Sequence, residues 1–493
     1  MSKTLGRLSS VMLAAIAVVM FLVGIAISSI GTLSVSVFCM WAAAFLGGLS
    51  QEKRNIVYIL FLFSFFVFLL SRIMIRWLEN NEIYMPFTPD IMIMVYSCIF
   101  LSLLGLYCGS FGRYRLMFGN KHQYLIQSSD TKESSIDYIL LRQISGVFTV
   151  ISGFATIAVV LEKIAYWGVT GSGGELRISF GSSLPGFVLR LSYVYILMLC
   201  IFLASKPSKK NAVVILSQYL LCSALKMIYG SRSDFILGLM FIAVYYVIRD
   251  RLDVQNGGKR HWFGRTEKLF TIISIPFLII LIVFIGFYRT HTRFEFTGIF
   301  DTLRSFFDSQ GSSVDVVGYT KMYSDQLSQP RALYMFDRTY EFLSTNPIAS
   351  ILTRKKAYSA NSVERALYGT SLGQTLYYYI NITSYKAGYG CGSSYVAEAW
   401  VGFGYAGVFF WNYLLSRVIL RINEYSFNDF IPSVIALVYL HSLFFIPRAG
   451  FDSFVGEILS MTHVFAIVVL WVVYKLLKTK RRESYSVISV TKA

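Results

Sequence analysis

Charged residues that could do chemistry stand in otherwise apolar sequence near the end of this chain. The stretch HSLFFIPRAGFDSFVGEIL, residues 441–459, places Arg448, Asp452 and Glu457 between two apolar runs. An arginine offers a planar fork of N–H donors that fits the oxygens of a phosphate group. A carboxylate nearby could accept a proton as a general base. The pattern indicates an anion site with acid–base groups beside it.

Three further arginines occur in similar surroundings. The turn IYGSRSDFIL (228–237) contains Arg232, and GFYRTHTRFEF (286–296) contains Arg289 and Arg293 directly after an apolar run. The simpler interpretation of any such arginine is that its charged head extends from a membrane helix to the interface. This interpretation is favoured for Arg72 and Arg76.

The carboxylates differ in their surroundings. SSYVAEAWVGF places Glu398 inside an apolar segment, where an ionisable group is costly and indicates function, with an arginine ion pair as the structural alternative. Glu457 is a weaker case of the same kind. Asp234 and Asp452 fall in the first turn of predicted helices, where a carboxylate caps backbone N–H groups. Glu398 is therefore the first candidate for the base and Asp452 the second.

Composition identifies the elements that position these residues. Of 493 residues, 55% are apolar and 15% are charged, whereas soluble domains carry roughly 25% charged residues. A bilayer core requires about 20 apolar residues per helix. The apolar runs predict an all-α integral membrane protein with about twelve transmembrane helices, at 10–31, 33–49, 55–75, 90–108, 141–162, 185–204, 211–229, 233–249, 268–287, 394–416, 430–447 and 455–477.

The distribution of positive charge sets the orientation. Lys and Arg concentrate in alternate loops, whereas LENNEIYMPFTPD (78–90) has neither. Cytoplasmic loops carry such an excess, so both termini are predicted to be cytoplasmic. The net charge of +18 is explained in this way, and nucleic acid is not expected as a partner. Arg232, Arg289, Arg293 and Arg448 then meet at the outer face, where helix N-termini also favour anions.

One long connection divides the chain into four parts. These are transmembrane helices one to nine with short loops (1–287), a large outer loop domain (288–392), helices ten to twelve (393–477) and a basic cytoplasmic tail (478–493). A structureless loop of that length would be unusual. Its segments 336–352 and 362–382 are amphipathic, so the loop is expected to be partly helical. Its many aromatic residues suit sugar rings and the lipid interface alike.

Signals for a metal or cofactor are weak, and neither is predicted. The histidines show no ligand spacing, although His291 and His441 lie near the outer face and could join the site. Only Cys391 of the six cysteines falls in an outer loop, so no loop disulfide is expected. GFGYAG (402–407) fits the pattern GxGxxG but lies inside a predicted span, where close helix packing explains it better.

Taken together, these features resemble the O-antigen polysaccharide polymerases of the Wzy family. The resemblance rests on the number of spans, the large late loop and the motifs GSRSDFILGL, SSYVAEAWVGFGYAGVF and PRAGFDSF. It covers most of residues 140–475. Each motif is short, and the whole arrangement is more specific than any one of them.

The resemblance implies a metal-independent glycosyltransferase of the integral-membrane (GT-C-like) class in the bacterial inner membrane. Its substrates would be oligosaccharide repeat units linked to undecaprenyl pyrophosphate, joined at the periplasmic face. The family's periplasmic arginines imply that Arg232, Arg289 and Arg448, with Arg293 as an addition, bind the pyrophosphates. Membrane lipid and a chain-length regulator protein are further candidate partners.

Two alternatives stay open from the sequence. An O-antigen ligase also uses a lipid-linked donor and a large periplasmic loop, but normally relies on a periplasmic histidine. A lipid-linked oligosaccharide flippase or another transporter would place charged residues along the middle of several spans and show recognisable repeats. Here the charges concentrate at the outer boundary, which favours the polymerase.

Overall fold

A computed structural model describes most of the chain. The described residues are 3–50, 55–80, 86–111, 137–171, 173–255, 262–264, 267, 269, 299–327, 330–346, 349–351, 357–424 and 429–491. Within these ranges the regular elements are helices, and no strand occurs.

Helices of the first half of the chain form most of the apolar bundle. In chain order they are α1 (Lys3–Ala26), α2 (Ile30–Leu49), α3 (Ile56–Phe65) with a π-helical turn (Phe66–Leu70) and α4 (Ser71–Asn80), α5 (Pro89–Phe111), α6 (Tyr138–Thr170), α7 (Gly173–Ile178), α8 (Gly186–Tyr193), α9 (Tyr195–Ala204), α10 (Lys209–Ile228) and α11 (Arg232–Gln255).

The second half alternates short and long helices. These are α12 (Ile299–Gln310), α13 (Ser313–Met322), α14 (Asp337–Thr345), α15 (Val363–Tyr368), α16 (Leu372–Ile380), α17 (Ile382–Lys386), α18 (Tyr395–Glu424), α19 (Phe430–Leu443) and α20 (Met461–Thr491). Short 3-10 turns cover Ser324–Gln326, Arg331–Phe336, Ile446–Arg448 and Ser453–Glu457. Residues 299–392, called the loop region below, thus contain helices in both segments for which the sequence predicted them.

The all-helical, multi-pass membrane character is confirmed, whereas twelve spans are not established. Seven described helices or continuous helix runs are long and apolar enough to cross a membrane, or eight if α8 and α9, bent by 43°, form one span. In α11 the uncharged stretch between Asp234 and Arg249 is shorter than the ~20 residues of a bilayer core. Helix α19 has only 14 residues. The predicted span 268–287 lies almost wholly outside the described residues.

Helix α18 differs most from its prediction as a straight span over 394–416. Gly404 has φ 64° and ψ −161°, a conformation that residues with a Cβ rarely adopt. The hydroxyl of Tyr395 donates to Asn412 Oδ1 at 2.6 Å across 17 positions, which a straight helix would separate by about 25 Å. Helix α18 therefore folds back at Gly404 into a short arm and a long arm. Glu398 lies on the short arm.

The long arm of α18 packs closely on α5. A Cβ added to Gly105 would lie 2.4 Å from the carbonyl oxygen of Phe409, and one added to Gly109 would lie 2.6 Å from that of Tyr413. Two glycines four residues apart allow this close approach. The prediction that GFGYAG serves helix packing holds for Gly402, which approaches Ala332.

Ion pairs attach the loop region to α4. Arg72 lies 2.6 Å from Asp315, and Arg76 lies 3.2 Å from Asp308. Burial raises the pKa of Asp315, and the positive charge of Arg72 opposes this rise. The interfacial position predicted for Arg72 and Arg76 stays a prediction, and the structure adds that both arginines bind carboxylates of the loop region.

Candidate functional site

Three of the six predicted site residues can be located with their side chains. Arg448, Asp452 and Glu398 all lie where the turn 446–457 meets α18 and the loop region. Arg289 and Arg293 lie outside the described residues, as does His291. Arg232 begins α11, but its side chain also falls outside the described part.

Arg448 is held by the end of a loop-region helix. Its Nη1 donates to the carbonyl oxygens of Gln310 at 2.9 Å and Ser309 at 3.4 Å, the last two residues of α12. A cation there is favoured by the partial negative charge of a helix C-terminus. The guanidinium also lies 6.0 Å from the ring centre of Phe68. Burial lowers the pKa of Arg448, which nevertheless remains far above neutrality for an arginine.

Arg448 has a positive charge that no carboxylate of the described residues neutralises. This contrasts with Arg72, Arg76 and Arg365, each of which is paired with an Asp or Glu. A half-buried guanidinium with donors left for a ligand can bind phosphate oxygens.

Glu398 is buried and joins α18 to the turn 446–457. Its Oε1 accepts from the hydroxyl of Ser393 at 2.7 Å, and its Oε2 accepts from the backbone N–H of Phe451 at 2.8 Å. The side chain is paired with no arginine among the described residues, so the structural alternative considered above does not apply there. The bond to Ser393 is exchangeable, because a hydroxyl can rotate toward another acceptor. A proton acceptor role for Glu398 stays a prediction.

Asp452 caps a helix, but not the one that follows it. Its Oδ2 accepts from the backbone N–H of Thr339 at 2.9 Å and from its hydroxyl at 3.0 Å. Thr339 is the third residue of α14, so Asp452 places a carboxylate at the N-terminus of a loop-region helix. Burial raises the pKa of Asp452, and the two bonds from Thr339 oppose the rise. Asp452 does cap a helix, as predicted, but that helix is α14 and not the one that follows Asp452 in the chain.

Asp337, which sequence reasoning missed, is a third carboxylate of this group. It begins α14, and its Oδ1 accepts from the hydroxyl of Thr370 at 2.7 Å. Burial raises the pKa of Asp337. Glu398 lies close enough to interact electrostatically with both Asp337 and Asp452. The amphipathic pattern of 336–352 located this helix, but nothing in the pattern set its first residue apart.

A second polar cluster joins the turn 228–237 to the end of α19. His441 Nδ1 lies 3.0 Å from both carboxylate oxygens of Glu457. Lys226 lies 3.3 Å from Asp234, so Asp234 forms an ion pair in addition to any capping role. The His441 ring packs edge-on against Tyr219. His441 is thus not alone. In the described ranges no three His, Cys, Asp or Glu side chains are grouped so that they could hold a metal ion.

The fold and these sites define a multi-pass membrane protein in which one turn, 446–457, carries a half-buried arginine and also contacts a group of buried carboxylates. The chain belongs to the O-antigen polysaccharide polymerase Wzy family, whose model matches residues 10–481, nearly the whole chain. This confirms the resemblance seen in the sequence. Comparisons with curated proteins and with solved structures give no match.

The family assignment establishes the general activity. The protein is an O-antigen polymerase of lipopolysaccharide biosynthesis, an enzyme of the glycosyltransferase type that acts in the bacterial inner membrane on lipid-linked oligosaccharides.

Proposed function

We propose that this polymerase transfers a growing saccharide from undecaprenyl pyrophosphate to the terminal sugar of a lipid-linked repeat unit, without a metal ion. The observation that carries the proposal is Arg448, a half-buried guanidinium without a carboxylate partner among the described residues. Arg448 shares the turn 446–457 with Asp452, and the backbone N–H of Phe451 in the same turn binds Glu398.

Arg448 would stabilise the leaving pyrophosphate. Cleavage of the glycosyl–phosphate bond leaves negative charge on the phosphate oxygens, and a donor already in place stabilises that charge by about 3 kcal/mol. Arg232, Arg289 and Arg293 are proposed to complete the pyrophosphate site. Their predicted position at one face of the membrane supports this assignment.

Glu398 is the proposed base for the attacking sugar hydroxyl, with Asp452 as the second candidate. General base catalysis contributes roughly 10²–10⁴-fold to the rate. The hydroxyl of the attacking sugar would replace the Ser393 hydroxyl as the donor to Glu398. Glu398 would then accept the proton of the sugar hydroxyl. The bond from Phe451 would meanwhile keep the carboxylate in place.

The proposed topology has twelve spans in a GT-C-like arrangement, with both termini cytoplasmic and the active site periplasmic. The charge distribution of the short loops supports this orientation. A chain-length regulator protein is proposed as a further partner, as the resemblance to the family implies.

Lipopolysaccharide from a strain with this gene disrupted provides the first test. A ladder that collapses to core plus one repeat unit means that units are still flipped and ligated but not joined. Bare core would instead indicate a flippase or a ligase. Purified protein supplied with pyrophosphate-linked repeat units should polymerise them in the presence of EDTA, and a requirement for added divalent cation would refute metal independence.

A further inference from the structure

A cavity in the loop region lies next to the carboxylate group. Its volume is about 270 Å³, and its lining includes Asp337, Tyr340, Glu341, Arg365, Tyr368 and Thr370. Pockets for drug-sized ligands usually measure about 300–1,000 Å³. The cavity therefore fits a small part of an oligosaccharide and not a whole repeat unit.

The charges of the cavity do not suit an anion. Arg365 is bound to Glu341 through both terminal nitrogens, at 3.3 Å each, and also donates to the carbonyl oxygen of Tyr358 at 3.0 Å. Its positive charge is thus already matched by a carboxylate. Asp337 adds a further acid, so the lining carries more acids than bases. Arg338 also pairs with Glu341 at 3.4 Å, so both arginines of the described residues at this place are already matched by a carboxylate and offer little to a pyrophosphate, whereas hydroxyl groups could donate to the carboxylates.

Two tyrosine rings at the cavity are exposed to solvent. Tyr368 is 62% exposed and Tyr358 is 41% exposed, although large aromatic side chains are usually well buried. A ring of this kind offers an apolar face to the C–H groups of a sugar and a hydroxyl for hydrogen bonding. Carboxylates that accept hydrogen bonds, beside exposed tyrosine rings that pack on a sugar, suit the binding of an uncharged saccharide.

The cavity and the proposed catalytic residue Asp452 are connected through helix α14. Asp337 lines the cavity and begins α14, and Thr339, two residues later, is bound by Asp452. A sugar held at Asp337 would therefore lie within about one helical turn of Asp452. This is where the terminal sugar of an acceptor has to be presented.

We infer that this cavity binds the terminal sugar of the acceptor saccharide through hydroxyl contacts to Asp337 and Glu341 and ring contact with Tyr368. The inference rests on the proposed function, because it assigns the cavity to the acceptor of that reaction. The cavity binds sugar and Arg448 binds pyrophosphate, so the two sites divide the substrate by its chemistry.

Binding is measured with the full-length protein in detergent. The probe is the free repeat-unit oligosaccharide released by mild acid from the host's pyrophosphate-linked repeat units, and the readout is saturation-transfer NMR with titration. Tyr368→Ala should weaken binding at least ten-fold, whereas Tyr368→Phe should retain most of it because the ring remains. Tyr389→Ala is the matched control, since Tyr389 is 42% exposed in the same loop region but does not line the cavity.

The outcomes separate the two levels of the argument. Unchanged binding in Tyr368→Ala, with a normal melting temperature, would overturn the cavity assignment, as would displacement of the oligosaccharide by inorganic pyrophosphate. A Tyr368→Ala strain with a full ladder, beside a disrupted strain whose ladder collapses, would overturn the cavity assignment and leave the polymerase intact. A full ladder in the disrupted strain would instead overturn the proposed function.

Discussion

Replacement of Arg448 by lysine separates its two roles, because helix capping needs a cation and pyrophosphate binding needs a fork. Lysine retains the positive charge near the end of α12 and can donate to the carbonyl oxygen of Gln310, which accepts the 2.9 Å bond. It cannot present two parallel N–H groups to a pyrophosphate.

The two roles predict effects of different size. The bond to Ser309 measures 3.4 Å, beyond the usual range for N–H···O bonds, so its loss should cost less than about 1 kcal/mol of folding free energy. Against a typical stability of about 5–15 kcal/mol, almost all protein would stay folded. Loss of a donor to the leaving group costs about 3 kcal/mol of barrier, which corresponds to roughly 100-fold in rate.

The assay compares polymerisation rates in membrane vesicles supplied with lipid-linked repeat units, at equal protein level by immunoblot. Arg142→Lys is the control, because Arg142 also binds a carbonyl oxygen at a helix end, that of Ser205 at 2.8 Å. We expect a roughly 100-fold loss for Arg448→Lys and an unchanged rate for Arg142→Lys. Equal rates in the two variants would refute the pyrophosphate role and leave Arg448 as a helix cap.

Three further predictions concern the neighbouring acids and His441. Glu398→Gln can keep both hydrogen bonds, since an amide accepts from Phe451 and donates to Ser393. The melting temperature should therefore stay the same while the polymerisation rate falls roughly 10²–10⁴-fold. A near-normal amount of polymer would reject the base role. Because burial raises the pKa of Asp452, its stabilising contribution is present below the ordinary value of about 3.9 and is lost as pH rises through the folded pKa. Thermal melting from about pH 4 to 7 should therefore fall less steeply in Asp452→Asn, and parallel curves would contradict this. His441→Ala should cost about 1.5–3 kcal/mol through the lost bond to Glu457, and an unshifted melting temperature would argue against that pair.

The sequence was informative wherever one local pattern decides the structure. Continuous apolar runs predicted most of the long helices, since such runs can be buried in lipid without a partner. The amphipathic segments of the loop region were likewise found from their periodicity. The family was also identified correctly from short motifs, because the combination of apolar spans, a large loop and arginines is more specific than any one of these features.

What the sequence could not show depends on contacts between distant residues. The fold-back of α18 follows from one glycine conformation, and a glycine in an apolar run predicts a straight helix equally well. Asp452 was expected to cap the nearest helix, whereas its partner Thr339 lies 113 positions away. Arg72 and Asp315 are 243 positions apart, so only the folded chain reveals their pairing.

The turn that contains Arg448 and Asp452 has a consequence for how this protein can change. Arg448 binds the end of α12, which is not part of the cavity wall, whereas Asp452 binds the start of α14, which contributes Asp337, Tyr340 and Glu341 to that wall. Substitutions elsewhere in that wall, at Tyr358 or Tyr368, would then alter which sugar fits without removing either of these contacts. The residues that select the sugar would then be different from those that hold the reacting groups. A few substitutions at the cavity could therefore adapt the polymerase to a changed polysaccharide.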